Sequence, residues 1–368
     1  MNGVLLEMAK RVDVELLFSQ QWLGADGKLP ENCLLRELSF QTFPQPENRT
    51  ERLWKLTNWP KMDRHIADDS DWVYCPMETR LPVTKCPVAV TIHDIQAFET
   101  DLPWSNTPEH RRFRRKWATW IHKTLKESRV VFTVSEFSKR RMVDLLGADP
   151  NKIVVSGNGI DVGFLRPEAG GMRPESGGLS SQASGILPQV SPLIPQASNT
   201  PYILIVGGLR HVKGGRETLE VAKACAARFP ELRFLIAGPN DRDLEDAARA
   251  LGNFEFPGWV KDAALPALYA KASALLFLSH YEGYGIPAIE AMAMGTPAVV
   301  ADCASLPEVV DEHGFVVDPK AADLIAEILC GLANGSVSYD VAAGKTYARS
   351  ITWGACAQRV ETALAAML

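Results

Sequence analysis

Short apolar runs and amphipathic stretches recur along the whole chain, and each marks one element. Pro87–Ile92 (PVAVTI) and Val130–Val134 are continuous apolar runs, the pattern of a strand covered on both faces. Tyr202–Val206, Arg233–Ala237 and Ala298–Ala301 read the same way. Shorter strands fall at Val14–Phe18, Trp72–Cys75, Lys152–Ser156, Phe254–Phe256 and Gly314–Val317. Val4, Leu5, Met8 and Val12 recur at helical spacing. Helices follow at Glu109–Arg129, after Ser135 as N-cap, and at Glu217–Arg228, Asp243–Leu251, Pro266–Ala272, Ala288–Met294 and Leu306–Val310; Thr352-Trp353 opens a last one. Residues 19–70 carry little period, with Leu53–Leu56, Trp54 and Trp59 reading as a helix edge.

Between residues 166 and 199 the periodicity vanishes and Pro, Gly, Ser and Gln dominate, which marks a linker or surface insertion. The 368 residues therefore divide into 1–165, a linker 166–199, 200–350 and a terminal helix in 351–368, two domains of ordinary size. With 46% hydrophobic and 23% charged residues the composition is that of a soluble globular protein. A net charge of −5 gives no reason to expect nucleic acid. The seven cysteines stand singly with no C-x-x-C pair, which points to a reducing, cytoplasmic compartment and away from a metal cluster. No apolar run approaches the roughly 20 residues needed to span a bilayer, and Glu7, Lys10 and Arg11 exclude a signal peptide at the start.

Candidate chemistry is densest in Leu275–Val300 (LLFLSHYEGYGIPAIEAMAMGTPAVV). An apolar run ends at Ser279, and a loop follows in which Gly283 and Gly285 bracket Tyr284. Pro287 stands at a first helical position, where its missing N–H costs nothing. Good helix formers follow until Gly295-Thr296-Pro297 stops them. Strand, glycine loop, helix and strand present backbone N–H groups and a positive dipole end to an anion, so Gly283, Tyr284, Gly285 and Ile286 are candidate binding positions. Glu282 in the loop and Glu290 in the first helical turn flank that unit, and carboxylates accept hydrogen bonds from sugar hydroxyls. A ligand with phosphates over the glycines and hydroxyls at both acids is a sugar nucleotide. On spacing alone, a solvated loop Glu and a dipole-favoured helical Glu fit equally well.

A second candidate anion site follows Tyr202–Val206, where Gly207-Gly208-Leu209-Arg210-His211-Val212-Lys213-Gly214-Gly215 leads into a helix. Lys213 would neutralise a pyrophosphate as a point charge. His93-Asp94 ends the run Pro87–Ile92, and ligands of α/β sheets collect at the carboxyl ends of strands. The competing role for His93 is a hydrogen bond within its own loop; Asp94 reads as structural. In Glu109–Arg129, Phe113, Trp117, Trp120, Ile121 and Leu125 share one stripe, with Arg111, Arg112, Arg114, Arg115 and Lys116 around it. Such a helix either meets an anionic membrane surface or a phosphorylated acceptor, or packs on the core with a solvated cationic face.

The run S-x-Y-E-G-Y-G-I-P-x-I-E-A-M-A-x-G-x-P over Ser279–Pro297 resembles the signature of the retaining glycosyltransferases of family 4, with Tyr284 where the family usually carries Phe. V-x-x-H-D ending at Asp94, T-V-S-E-F-S-K from Thr133 and N-G-I-D from Asn158 extend the resemblance. So does V-G-x-L with Lys213 in register; the family's Arg positions hold Gly208 and Val212, leaving Arg210 as a shifted substitute. The resemblance implies an α/β GT-B fold, two Rossmann-like domains whose parallel sheets face across a cleft, the first binding acceptor and the second the nucleotide sugar. It also implies a strand and glycine loop before the first helix. Here only Asn2-Gly3 could be that loop's tail, so either the start is internal or the domain manages without the strand.

In this scheme Lys213, with Arg210, and the N–H groups of Gly283–Ile286 hold the diphosphate near Gly208. Glu290 holds the ribose, Val260 lies by the base, and Glu282 and His93 meet the transferred sugar. The leaving phosphate takes the acceptor proton in a front-face attack, with no covalent nucleophile, no metal and no other cofactor. Partners would be a UDP- or GDP-linked hexose and a glycan, lipid-linked or small-molecule acceptor, with 109–129 touching the inner membrane face. Rivals are a glycosidase, which uses an Asp/Glu pair, a nucleotide-sugar epimerase and a catalytically silent nucleotide-sugar-binding protein.

Overall fold

The computed structural model describes residues 2–20, 23–24, 26–30, 33–43, 53–54, 57–161 and 200–368. The expected linker 166–199 and half of the expected helix edge at 53–56 lie outside the described residues. The chain forms two compact units, Met1–Gly159 with Thr352–Leu368, and Ile160–Ile351.

In the first unit the elements run α1 (Asn2–Met8), β1 (Leu16–Ser19), β2 (Phe40–Phe43), β3 (Val73–Cys75), β4 (Val88–Thr91), α2 (Pro108–Glu127), β5 (Val130–Thr133), α3 (Glu136–Leu146) and β6 (Ile153–Val155). Strands β3, β4, β5 and β6 form a parallel sheet in that order. Every residue of β4 and β5 is buried, because alternate side chains point to opposite faces and both faces are covered. Val88, Val90 and Val131 face Trp120, Ile121 and Leu125 of α2 and Met142 of α3. Ala89, Val130 and Phe132 face the other way, onto Val4 and Met8 of α1 and onto Cys356, Ala357, Val360 and Leu364 of the last helix. That helix, although last in the chain, belongs to the first unit.

Among the described residues no strand precedes α1. The strand expected at Val14–Phe18 is Leu16–Ser19, and it pairs with β2 in a separate two-stranded parallel sheet. In α2 the stripe and the cationic face are also redistributed. Phe113 is 46% exposed, whereas Arg114 turns inward and donates to the carbonyls of Ala97, Glu99 and Ser105 at 2.9, 3.0 and 2.9 Å. Arg114 thus fixes the segment after His93 rather than facing solvent. Thr107 caps α2 by accepting from the His110 N–H at 3.2 Å, and Ser135 caps α3 by accepting from the Ser138 N–H at 3.0 Å. None of the described helices is long and apolar enough to cross a membrane.

The second unit runs β7 (Tyr202–Val206), α4 (Gly215–Arg228), β8 (Arg233–Ala237), α5 (Arg242–Leu251), β9 (Phe254–Gly258), α6 (Leu265–Lys271), β10 (Ala274–Phe277), α7 (Ile286–Met294), β11 (Ala298–Ala301), α8 (Leu306–Val310), β12 (Phe315–Val317), α9 (Ala322–Asn334) and α10 (Val341–Ser350). Its six parallel strands lie in the order β12-β11-β10-β7-β8-β9. The chain therefore moves outward one way from β7 and the other way from β10. This is the dinucleotide-fold order, and the crevice between the two diverging connections is where such sheets bind ligands. Helices α9 and α10 carry no motif and go unmarked in the sequence. The last helix is α11 (Trp353–Ala366), capped by Thr352, which accepts from the Ala355 N–H at 3.1 Å.

A chain ending at Ile351 loses the cover over Ala89, Val130 and Phe132. Each buried apolar side chain removed is worth about 1.5–3 kcal/mol, against a total of roughly 5–15 kcal/mol for a domain. The first-unit transition in urea unfolding should disappear from that truncated chain, with the second-unit transition retained. Two intact transitions would show that α11 is dispensable.

Candidate active site

The carboxyl ends of β7 and β10 are neighbours, and Gly208, Arg210, Lys213, Glu282, Gly283, Tyr284 and Gly285 sit on the two segments that leave them. After β7 the backbone turns through Gly207 and Gly208, with φ of +96° and +84°, conformations open to glycine. The N–H groups of both donate to the Ala237 carbonyl, at 2.9 and 3.1 Å. A Cβ on Gly208 would lie 1.7 Å from the Pro239 carbonyl oxygen, so only glycine fits. Two side chains at the end of β8 then hold the loop. Asn240 Oδ1 accepts from the Leu209 N–H and Asp241 Oδ2 from the His211 N–H, both at 2.7 Å. Arg210 is exposed, and its carbonyl accepts from the N–H groups of Lys213 and Gly215 at 3.0 and 2.9 Å. Gly214 (φ +73°) opens α4 where a Cβ would lie 2.0 Å from the Leu278 carbonyl oxygen, so the two loops touch there.

The loop after β10 is held from both sides. Ser279 Oγ donates to the Tyr281 carbonyl at 3.1 Å. Ser305 Oγ lies 2.9 Å from the Glu282 carbonyl and 2.7 Å from that of Tyr284, so this buried serine fixes the signature turn. Gly285 (φ +113°) is the N-cap of α7; a Cβ there would meet Leu306 at 2.6 Å. Having no side chain, Gly285 leaves the dipole end of α7 without a side-chain cap.

Lys213 and Glu282, 69 positions apart in sequence, form an ion pair between Nζ and Oε1. Their side chains are 27% and 16% exposed, and Lys213 Nζ also lies 5.8 Å from the Phe277 ring centroid. Glu290 has a different partner. Helix α7 begins at Ile286, one residue before Pro287, which puts Glu290 beyond the first turn. It is 1% exposed, with Oε2 accepting from the Tyr269 hydroxyl at 3.0 Å. The first-turn placement and the dipole-favoured alternative for Glu290 are thereby corrected. Val260 follows the edge strand β9 and packs half-buried against the core, beside Trp259, which is 69% exposed.

In the first unit His93 hydrogen-bonds outside its own loop. Its Nδ1 lies 3.2 Å from Glu78 Oε1, and its carbonyl accepts from Ser138 Oγ at 3.2 Å. Burial pushes the Glu78 carboxyl up, but hydrogen bonds from the His93 ring and backbone outweigh it and hold it below the usual carboxylate value. Asp94 Oδ1 accepts from the Gln96 N–H at 3.0 Å, a structural turn. Sequence reasoning missed Glu78, Asn240, Asp241, Tyr269 and Ser305. Only Asn240-Asp241, at a strand end after Gly238-Pro239, carried a local signal.

Family models meet both units. The one described as Glycosyltransferase Family 4 matches residues 5–164, and the one described as Glycosyl transferases group 1 matches residues 193–336. The chain belongs to the group 1/family 4 glycosyltransferases. An O-antigen chain mannosyltransferase B of Escherichia coli is 27% identical over 300 residues, 79% of this chain and 73% of that protein. Solved structures of the same GT-B architecture include a glycosyltransferase from Rickettsia africae, with a TM-score of 0.68 at 15% identity, covering 100% of this chain and 94% of that one. Another is an Anabaena protein in complex with UDP and glucose, with a TM-score of 0.63 at 16% identity, covering 99% and 95%.

Glu217, in the first turn of α4, lies 3.3 Å from His280 Nε2. The hydrogen bond from His280 outweighs burial and holds the Glu217 carboxyl below its ordinary value. A carboxyl depressed in this way contributes stability above its unfolded pKa and loses it as pH falls through the folded one. In urea unfolding, Glu217→Gln should therefore be the less stable protein near neutrality. The difference should shrink as pH drops below the ordinary Glu value of about 4.3; a constant difference across that range would rule out this linkage.

Proposed function

We propose that this glycosyltransferase moves a hexose, mannose being favoured, from a nucleoside diphosphate sugar to a glycan or lipid-linked acceptor, with retention at the anomeric carbon. The observation that carries the donor site is the Lys213–Glu282 pair at the switch point, beside the uncapped start of α7. With no ligand, cation and carboxylate neutralise each other. A diphosphate brings more negative charge and draws Lys213 away, and Glu282 is released to accept hydrogen bonds from the sugar hydroxyls. Lys213, Arg210 and the amides of Gly283, Tyr284, Gly285 and Ile286 then stabilise the departing diphosphate. Such preorganised donors are the largest protein contribution when charge develops on a leaving group, and they supply here the positive potential that a metal ion supplies in other enzymes.

The close packing at Gly208 lets backbone approach the phosphates. Glu290 takes the ribose through Oε1, with Tyr269 holding Oε2, and Val260 borders the base. His93 offers Nε2 to the transferred sugar, its ring oriented by Glu78. The leaving phosphate accepts the acceptor proton, so no side chain serves as nucleophile. Mannose is favoured by relatives named as mannosyltransferases, the O-antigen protein among them.

The exposed side of α2 supports a lipid-linked acceptor. Arg111, Arg112, Arg115 and Lys116 are all exposed beside Phe113, and among the described residues none of the four pairs with a carboxylate. Unneutralised cations around an exposed aromatic ring suit an anionic bilayer surface.

Incubation with GDP-mannose, UDP-glucose and UDP-galactose should show slow hydrolysis of one donor by the purified protein. Lys213→Ala should lower its turnover on the order of 10²-fold, by analogy with a lost oxyanion donor. An unchanged rate would remove Lys213 from the site, and cleavage of simple glycosides without any nucleotide would favour a glycosidase. In flotation assays the protein should bind vesicles with 30% phosphatidylglycerol more tightly than pure phosphatidylcholine. At about 1 kcal/mol per cation, Arg112→Glu with Lys116→Glu should weaken that binding by well over tenfold. Equal binding to both vesicle types would exclude the membrane contact.

A further inference from the structure

Two side-chain links join the same pair of loops in the second unit. One is Lys213 to Glu282. The other joins His280, two residues before Glu282, to Glu217, four residues after Lys213, with Nε2 3.3 Å from Oε1. Between them the main chains meet directly. The His280 N–H donates to the Val212 carbonyl at 3.3 Å, Ser279 Oγ reaches the same carbonyl at 3.5 Å, and Gly214 packs on the Leu278 carbonyl. The two links differ in fate. If the donor reading above is right, both ends of the first are given up to substrate. Neither end of the second has a substrate role, and both side chains are largely shielded, at 19% and 21% exposure.

We infer that His280 and Glu217 are a positioning pair, which keeps the first turn of α4 and the turn bearing Lys213 against the signature loop once the donor has broken the Lys213–Glu282 contact. Two links join these segments; with donor bound, this one and the backbone contacts remain. Glu217 lies in the first turn of the helix that opens directly after Lys213, so a shift of this helix carries the lysine with it. A misplaced binding group loses much of its value even when chemically intact, since errors of an ångström cost up to about 10²-fold. The pair therefore acts on donor affinity through Lys213, without touching donor itself.

The test compares His280→Ala, His280→Gln, Glu217→Gln and Lys213→Ala in the full chain, using dissociation constants for UDP and GDP by calorimetry and steady-state kinetics with the active donor. His280→Ala should raise the donor KM and the nucleotide dissociation constant about tenfold and, because it acts through Lys213, lower kcat by less than Lys213→Ala does, with the acceptor KM unchanged. His280→Gln, which keeps a donor for Glu217, should recover most of the loss. His280→Ala combined with Glu217→Gln should be no worse than either alone, as expected for two residues acting as one unit. Donor KM and nucleotide affinity within twofold of wild type in both His280→Ala and Glu217→Gln would overturn the inference, as would a fall in kcat alone. If Lys213→Ala weakens nucleotide binding and the pair variants do not, the positioning role fails and the donor site stands. If Lys213→Ala has no effect, the donor site itself has failed.

Discussion

An ammonium group and a carboxylate, Lys213 and Glu282, meet at the point where the second sheet's connections diverge. Alone, a partly exposed ion pair is worth at most about 1 kcal/mol, so it does not hold the unit together. Its value lies in the reverse direction. In the proposed function, these two opposite charges are traded for a ligand carrying both phosphates and hydroxyls, at little cost in reorganisation. Everything near the pair serves that fixed placement, from Asn240 and Asp241 on one loop to Ser305 on the other.

The glycines set how closely the two loops approach. At Gly208 and Gly214 a side chain would collide with backbone carbonyls, and at Gly285 with Leu306. Each of these glycines also has positive φ, so the requirement is double and replacement strains backbone as well as packing. The result is main chain against main chain where the two loops meet. The first unit follows a different plan. Its parallel sheet is closed on one face by α2 and α3 and on the other by α1 with α11, so the end of the chain completes the core begun at its start. His93, at the carboxyl end of β4, takes its orientation from Glu78 and from Arg114-fixed neighbours.

How far this was legible depended on burial and on sequence distance. Strands buried on both faces read directly, and Tyr202–Val206, Arg233–Ala237 and Ala298–Ala301 match their runs residue for residue. The β1–β2 pair was half-read because β2, Phe-Gln-Thr-Phe, is short and partly exposed, and its partner lies two dozen residues away. The signature gave the loop and the helix, but it put Glu290 too near the dipole end, because a proline within the first turn does not say which residue precedes it in the helix. The contacts Lys213–Glu282, His280–Glu217 and Tyr269–Glu290 had no signature of their own. Each joins residues from different strand connections, and only the strand order makes them neighbours. Arg114 was misread because composition cannot tell a cation that binds three carbonyls from one that faces water.

In the proposed function a diphosphate is taken by the two loops that Lys213 and Glu282 join. Amide hydrogen exchange of the intact chain, with and without saturating nucleoside diphosphate, tests it most directly. Exchange should slow at residues 207–216 and 282–289, and Lys213→Ala should lose that protection. Nucleotide binding that leaves both segments unprotected, or that protects a different part of the second unit, would contradict it.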